Sequence, residues 1–429
     1  MRILKYNIIP LMALFFLAVG CKKDFKNPNA ATQEETFQSD RAATAVAAGL
    51  QRVYSTSAAG SLYALINANG FVTNELILRN AGNIPELQLS TGGTAVDATN
   101  TVLANIWTRS NKIIFDANNV INYANQLADK NYASGLIGYS SIFKALSIGN
   151  MAMLWQRIPD TVGQNVTFID RIDGYKKAVN VLNNAIALHT ANPPSSAVLS
   201  RLPEGIDILN TLYALKARYS LFAGDNATAL SAANQVNLGA RSFFAYNSLG
   251  LNPVFESATS TNNVFQPTDS TLGLPKALEP NTADKRIPFY VGINTTIAPR
   301  YRLKGFFETS TSSIPVYLPG EIILIKAEAL ARMNQLPQAL IELNRVITKK
   351  PSDDPFGVGA DLPPVALATQ AEILTEIYRQ RSIELFMSGL RLEDMRRFNR
   401  PLSERRRNFF PYPFQERDNN SNTPPDPTF

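Results

Sequence analysis

Apolar positions along this chain recur at the spacing of helices far more often than at the alternation of strands. In the alanine-rich stretch 41–54, Val46, Leu50 and Val53 fall on one helical face, and over 102–127 Ile106, Ile113, Ile114, Val120 and Ile121 do the same. The spacing predicts further helices over 139–155, 174–188, 206–222, 226–236, 320–333, 337–348 and 370–386. No long series of strands competes with them. Residues 71–97 carry glycines and short alternations and read as an irregular loop region. From 240 to 317, Pro253, Pro267, Pro275, Pro280, Pro288, Pro299 and Pro315 punctuate Thr, Ser, Asn and aromatic residues, which predicts loops with room for short hairpins. The tail from Asp418, with Asn419, Asn420, Pro424, Pro425 and Pro427, is expected to lie extended over the surface.

Two of the helix pairs follow one template. Ala217, Ala229, Ala233 and Val236 recur at the offsets of Ala327, Ala339, Leu343 and Val346, with Pro351 closing the second set. In a tetratricopeptide unit small residues sit where the first helix meets the second, because a larger side chain would push the pair apart. Gly224-Asp225 and Asn334-Gln335 supply the turns, and Asp225 is placed to cap a helix. Alanine is common at helix crossings, so an ordinary helical hairpin accounts for one such match, whereas two with the same offsets favour tetratricopeptide-like pairs. Ala217 and Ala327 are separated by far more than the ~34 residues of a tandem unit. The expected fold class is therefore mainly α, an α-α superhelix of tetratricopeptide-like pairs with long irregular loop insertions.

The N-terminus changes the picture of where such a fold resides. Arg2 and Lys5 precede an apolar run over 8–19, then Gly20 and Cys21. The run is too short to cross a bilayer, and Lys22, Lys23 and Asp24 follow at once, so it reads as an export signal cut before Cys21. A buried helix around a reduced core cysteine would leave the Ala-Val-Gly-Cys ending unexplained. Cys21 then carries a diacylglycerol and an N-acyl chain, enough for stable anchoring. The expected organisation is a signal peptide over 1–20, a lipidated flexible tether over 21–39, and one helical binding domain over 40–429 with a loop-rich insertion at 240–317. Cys21 is the only cysteine, so the exported part has no internal disulfide and no thiolate metal cluster. The formal charge of +6 loses Arg2 and Lys5 with the signal, and export removes the chain from intracellular nucleic acid.

Four stretches together resemble the SusD/RagB nutrient-binding outer-membrane lipoproteins of Bacteroidota. Cys21-Lys22-Lys23-Asp24 is similar to the short signal that sends lipoproteins to the cell surface. FKALSIGNMAMLWQRIPD over 143–160 is similar to a helix and its Ile-Pro exit in the family's N-terminal half, and residues 316–349 resemble its Ala-Glu-Ala helix and the helix after it. The most specific likeness is RQRSIELFMSGLRLEDMRR over 379–397, where Arg381, Glu384, Leu385, Gly389, Arg391, Asp394 and Arg397 match the family pattern in order. Gln380 and Ser388 replace two usual glutamates and Met395 a leucine, and the residues after Phe410-Pro411-Tyr412-Pro413 depart from the family's closing phrase.

The resemblance implies a binding protein without cofactor, held by its lipids on the extracellular side of the outer membrane. Such a protein captures an oligosaccharide or another oligomeric nutrient and delivers it to a TonB-dependent β-barrel transporter. Sugar rings stack on exposed aromatic faces beside polar side chains. Trp107 and Trp155 lie within predicted helices and read as core. The implied ligand regions are the early loop and the insertion, which offer Asn74, Glu75 and Arg79 with Tyr246, Tyr290 and Tyr301. A hydrolase would need a nucleophile with a base, paired carboxylates or a metal set. The one histidine, His189, ends a helix, where the dipole favours it, and Glu372 and Glu376 share a helix face without a supporting motif. Arg391, Arg396, Arg397, Arg400, Arg405, Arg406 and Arg407 alternate with Glu384, Glu393, Asp394 and Glu404. If the helix is unbroken, Glu384, Arg391 and Asp394 share one face as a structural clamp. A glycoside hydrolase using an Asp/Glu pair and a periplasm-facing helical scaffold are the competing readings.

Overall fold

The computed structural model describes Phe37 and residues 39–296 and 300–428. The export signal, Cys21 and nearly all of the proposed tether lie outside the described residues. Residues Ala43–Phe429 form one compact unit. The chain opens with α1 (Asp40–Ser55), α2 (Ser61–Val72), β1 (Leu76–Leu78) and α3 (Ile84–Thr91). Two long helices, α4 (Thr101–Gln126) and α5 (Lys130–Leu154), lead to β2 (Arg157–Pro159), β3 (Phe168–Asp170), α6 (Arg171–Ala191), the short α7 (Ser196–Leu199), α8 (Ile208–Phe222) and α9 (Asn226–Ala233). The insertion carries β4 (Phe243–Phe244), β5 (Phe265–Pro267), α10 (Arg286–Tyr290), β6 (Val291–Asn294), β7 (Arg300–Leu303) and β8 (Ile314–Pro315). The C-terminal part holds α11 (Pro319–Arg332), α12 (Leu336–Ile347), α13 (Gln370–Glu384), α14 (Arg391–Arg397) and α15 (Phe414–Asn419).

Side-chain caps start most of the longer helices, because the first backbone N–H groups have no partner within the helix. Asn100 caps α4 through Val102 and Leu103, and Asp129, Asp170, Asp207 and Asp225 cap α5, α6, α8 and α9. Thr369 and Glu372 form a reciprocal capping box on α13. Almost every residue of α5 from Tyr132 onward is buried. It packs between α4 and α6, touches α8, and binds α1 through Tyr139 to Gln51 at 2.6 Å and Asn150 to Tyr54 at 3.1 Å.

The two alanine templates form the expected helix pairs. Ala217, Ala229 and Ala233 in α8 and α9, and Ala327, Ala339, Leu343 and Val346 in α11 and α12, have no exposed surface. Each pair turns on a left-handed residue, Gly224 (φ 83°) or Asn334 (φ 60°), and the next N–H reaches back into the helix, Asp225 to Ser220 and Gln335 to Leu330, each at 2.9 Å. Despite their separation in sequence, the pairs are neighbours in space, since α9 packs on α11 and α12 and α13 follow in order. A regular repeat array is thus rebuilt across the insertion. The insertion leaves and rejoins it at one place, where Phe243 and Phe244 pair antiparallel with Pro315 and Ile314.

Three features depart from the sequence reading. Helix α2 lies where no helix is expected, and all of its residues are buried, so it has no polar face to create a period. Helix α5 begins nine residues before the expected start, at Lys130. Residues 71–97, read as irregular, contain β1 and α3, and α15 runs two residues into the tail from Asp418.

At the second position of α11, Gly320 lies against Glu384, and a β-carbon there would overlap that carboxylate. Gly320→Ala is expected to lower the unfolding free energy by about 2–4 kcal/mol. Gly224 has open space around its missing β-carbon, so Gly224→Ala meets only the left-handed backbone penalty, about 1–2 kcal/mol. Urea unfolding of both variants checks the order.

Candidate functional site

The C-terminal arginines other than exposed Arg406 are tied into the fold. Helix α13 ends at Glu384, and Met387 (φ 61°) and Gly389 (φ 79°) break the chain before α14 begins at Arg391. Glu384, Arg391 and Asp394 therefore do not share a face of one helix, as the sequence suggested. Glu384 accepts from Arg286 at 2.9 Å and from Lys349 at 2.7 Å, and Arg286 also holds Asp284 at 2.7 Å. Asp394 accepts from Arg381 at 2.9 Å and Arg397 at 2.8 Å, while Arg391 donates to the carbonyls of Leu272 and Ser382. The clamp exists, but it joins several elements. Glu328 completes it, accepting from Arg397 at 2.7 Å and Arg332 at 2.8 Å. Burial alone would raise its pKa, yet the guanidinium groups of Arg397, Arg381 and Arg332 hold it at about 2.

Structural work also claims several residues read as ligand candidates. Glu75 is buried, and its carboxylate accepts from the Met387 N–H at 3.0 Å and the Thr73 hydroxyl at 3.1 Å, with Arg391 at 3.5 Å. Asn74 takes a left-handed backbone (φ 64°), donates to the Glu404 carbonyl at 3.0 Å and accepts from Arg406 at 3.0 Å. Tyr246 is buried with its hydroxyl on the Ser55 carbonyl at 3.0 Å. Tyr290 is buried among Phe289, Phe306 and Phe386, with its hydroxyl on the Glu384 carbonyl at 2.6 Å. Enclosed rings such as these offer no face to a ligand.

Arg79 and Tyr301 are differently placed. The early loop and the insertion meet where β1 pairs antiparallel with β5, Leu76 opposite Pro267 and Leu78 opposite Phe265. Arg79 continues β1, is exposed, and its N–H donates to the Val264 carbonyl at 2.8 Å. The β6–β7 hairpin lies beside β5. Its Val291–Leu303 pair is buried, whereas the next pair on the same face, Ile293 and Tyr301, overhangs the core edge, leaving Ile293 71% exposed and Tyr301 half-buried. Arg300 donates to the Asn262 carbonyl at 2.8 Å and to Asn263 Oδ1 at 2.9 Å. The segment from Asn262 to Val264 thus has Arg79 on one side and the hairpin on the other. Half-buried Tyr301, two guanidinium groups and exposed Asn263 make a surface suited to hydroxyl-rich ligands. Arg300 and Asn263 were not singled out from sequence; the Arg300-Tyr301-Arg302 triplet, an aromatic between charges, is the signal that could have found them.

Other candidates resolve as architecture. Trp107 and Trp155 are buried with ring centroids 4.8 Å apart at 72°, donating to Glu416 and the Pro411 carbonyl, each at 2.9 Å. His189 lies in the last turn of α6, and burial lowers its pKa. Glu372 folds back into its capping box and Glu376 pairs with Arg379. Among the described residues, no group of three or more His, Cys, Asp or Glu side chains could hold a metal ion, and no helix is long and apolar enough to cross a membrane. An interior hollow of about 60 Å³ lies beside the bidentate Arg218–Glu321 pair and Tyr54. It is far below the ~300 Å³ at which ligand pockets begin.

Residues 244–426 match the model of the SusD family. A SusD-like protein of Bacteroides fragilis superposes with a TM-score of 0.71 at 12% identity, over 93% of this chain and 99% of its own. A SusD-like carbohydrate-binding protein of the same species gives 0.65 at 16% identity, over 85% of this chain and 87% of its own. A laminarin-binding SusD-like protein gives 0.65 at 16% identity, over 91% and 99%. No curated protein sequence matches the chain. The fold is that of the SusD-like proteins: tetratricopeptide-like helix pairs with a long inserted loop region. The family match takes in the motif at 379–397.

The depressed pKa of Glu328 has a fixed sign in the stability curve. Its contribution is present above the ordinary carboxylate range and is lost as pH falls through about 2. Glu328→Gln is expected to be less stable at pH 7 and to lose less stability between pH ~4.5 and ~2 than the parent. Urea titrations across that window measure both.

Proposed function

We propose that this protein is a cell-surface lipoprotein that binds an oligosaccharide and hands it to a TonB-dependent outer-membrane transporter. The observation that carries this reading is the SusD-family match, joined to similarity with SusD-like proteins described as carbohydrate-binding and laminarin-binding. The surface around Tyr301, Arg79, Arg300 and Asn263 is the proposed glycan contact. Tyr301, half-buried on the hairpin, is the ring proposed to meet sugar C–H groups, and the arginines and the amide offer hydrogen bonds to hydroxyls. The helix pairs serve as the rigid body that displays these loops. The proposed organisation retains the signal over 1–20, the lipid on Cys21, the tether over 21–39 and the binding body beyond it. Binding is by stacking and hydrogen bonding and leaves the glycan covalently unchanged.

Calorimetry against a panel of β-glucan, α-glucan and xylan oligosaccharides tests the ligand class. One glycan should bind, with Tyr301→Ala about fivefold to tenfold weaker, or about 1–1.4 kcal/mol. Failure of every glycan, or release of reducing ends by the purified protein, would sink the reading; unchanged affinity in the variant would move the site elsewhere. Cys21→Ser is expected to free the protein from the membrane fraction and to abolish its co-purification with a large β-barrel from mild detergent. Retention of the variant in the membrane would remove Cys21 as the anchor.

A further inference from the structure

From Tyr132 onward, Lys144 is the one residue of α5 that is not buried. Ile137, Ser141, Lys144, Ile148 and Met151 form the floor of a groove walled by α4 and α6. It opens into two hollows, of about 440 and 230 Å³, and Lys144 lines both. The α4 wall alternates amide and apolar side chains: Asn111, Ile114, Asn118, Ile121 and Asn125. An asparagine returns every second turn, or about 10.5 Å. Across the groove, α6 presents Lys177, Val181, Asn184 and Leu188.

Lys144 is the unmet charge of this groove. It is half-buried and no residue hydrogen-bonds or ion-pairs with it among those described. Burial and the nearby Lys177 lower its pKa, the sign of a cation without a counter-charge. Lys177 is satisfied by Asp160 at 2.8 Å, and Asp160 is the only carboxylate lining either hollow. A ligand carboxylate would supply what Lys144 lacks.

The lining also selects the class of molecule. No aromatic ring lines either hollow, so a sugar ring has no stacking platform there. Asparagine amides both donate and accept, as a peptide group requires, and their ~10.5 Å period spans about three residues of an extended chain at ~3.3 Å each. The isoleucines and Val181 between them suit apolar side chains. We propose that this groove is a second binding site, for an extended peptide segment whose acidic side chain pairs with Lys144. It shares no residue with the Tyr301 surface and does not depend on the glycan reading.

The test uses the full-length protein and a dye-labelled octapeptide of alternating valine and aspartate, with a valine–asparagine control, read by fluorescence anisotropy. The acidic peptide should bind at least tenfold tighter than the control. Lys144→Met should erase that difference while circular dichroism shows the variant folded. Lys144→Glu should invert the preference toward a valine–lysine peptide, and Tyr301→Ala should leave every value unchanged. Equal affinity for the acidic and control peptides, no binding of either, or an acidic-peptide affinity indifferent to Lys144→Met would overturn the proposal. So would a Lys144-dependent preference for oligogalacturonate over the acidic peptide.

Discussion

The carboxylate of Glu384 is the point on which the C-terminal fold turns. It has no exposed surface, yet it is met by Arg286 from the insertion, Lys349 from the end of the α12 region and, through its own carbonyl, Tyr290. Burying such a group costs several kcal/mol unless its partners are in place, and loss of one partner from a buried pair costs about 3–5 kcal/mol. The insertion is therefore obliged to return to one position against α13. Gly320 completes the arrangement by leaving room for the carboxylate beside α11. Glu75 plays the corresponding part on the N-terminal side, fixing the chain break after α13 through the Met387 N–H.

That arrangement separates two tasks. The helix pairs supply a continuous core, in which Ile323, Leu324, Leu343, Val346, Ile373 and Ile377 of α11, α12 and α13 pack together. The short strands carry few hydrogen bonds of their own and gain position from the elements beneath them. Where the β6–β7 hairpin runs past the core edge, Ile293 and Tyr301 become available to solvent. Helix α5 is buried from Tyr132 onward except at Lys144, which lines the groove between α4 and α6.

Periodicity made most of this fold legible, and its failures have physical causes. Helices with a polar face announced themselves within a few residues of their ends, and the alanines of the two helix pairs identified the crossings. Helix α2 was silent because a helix buried on every side has no amphipathic period. The break between Glu384 and Arg391 was hidden because Met387, an unusual residue for a left-handed backbone, carries it together with Gly389. The candidate site was less legible, since position in a proline-rich insertion says little about exposure. Tyr290 follows Ile287, Pro288 and Phe289, an apolar run that marks it for the interior, whereas Tyr301 stands between Arg300 and Arg302. The bonding of Asn74 and Glu75 to residues more than three hundred positions away has no local signature at all.

The narrow neck formed by Phe243, Phe244, Ile314 and Pro315 bears on how such a protein can diversify. Because the insertion enters and leaves through one short strand pair, the segments beyond that neck can lengthen, shorten or exchange side chains without altering the register of the helices below. The freedom is bounded by Arg286, whose removal would leave the buried carboxylates of Glu384 and Asp354 to share Lys349. Variation in ligand preference among chains built this way should therefore concentrate on either side of that buried knot, leaving the knot itself and the body it grips unaltered.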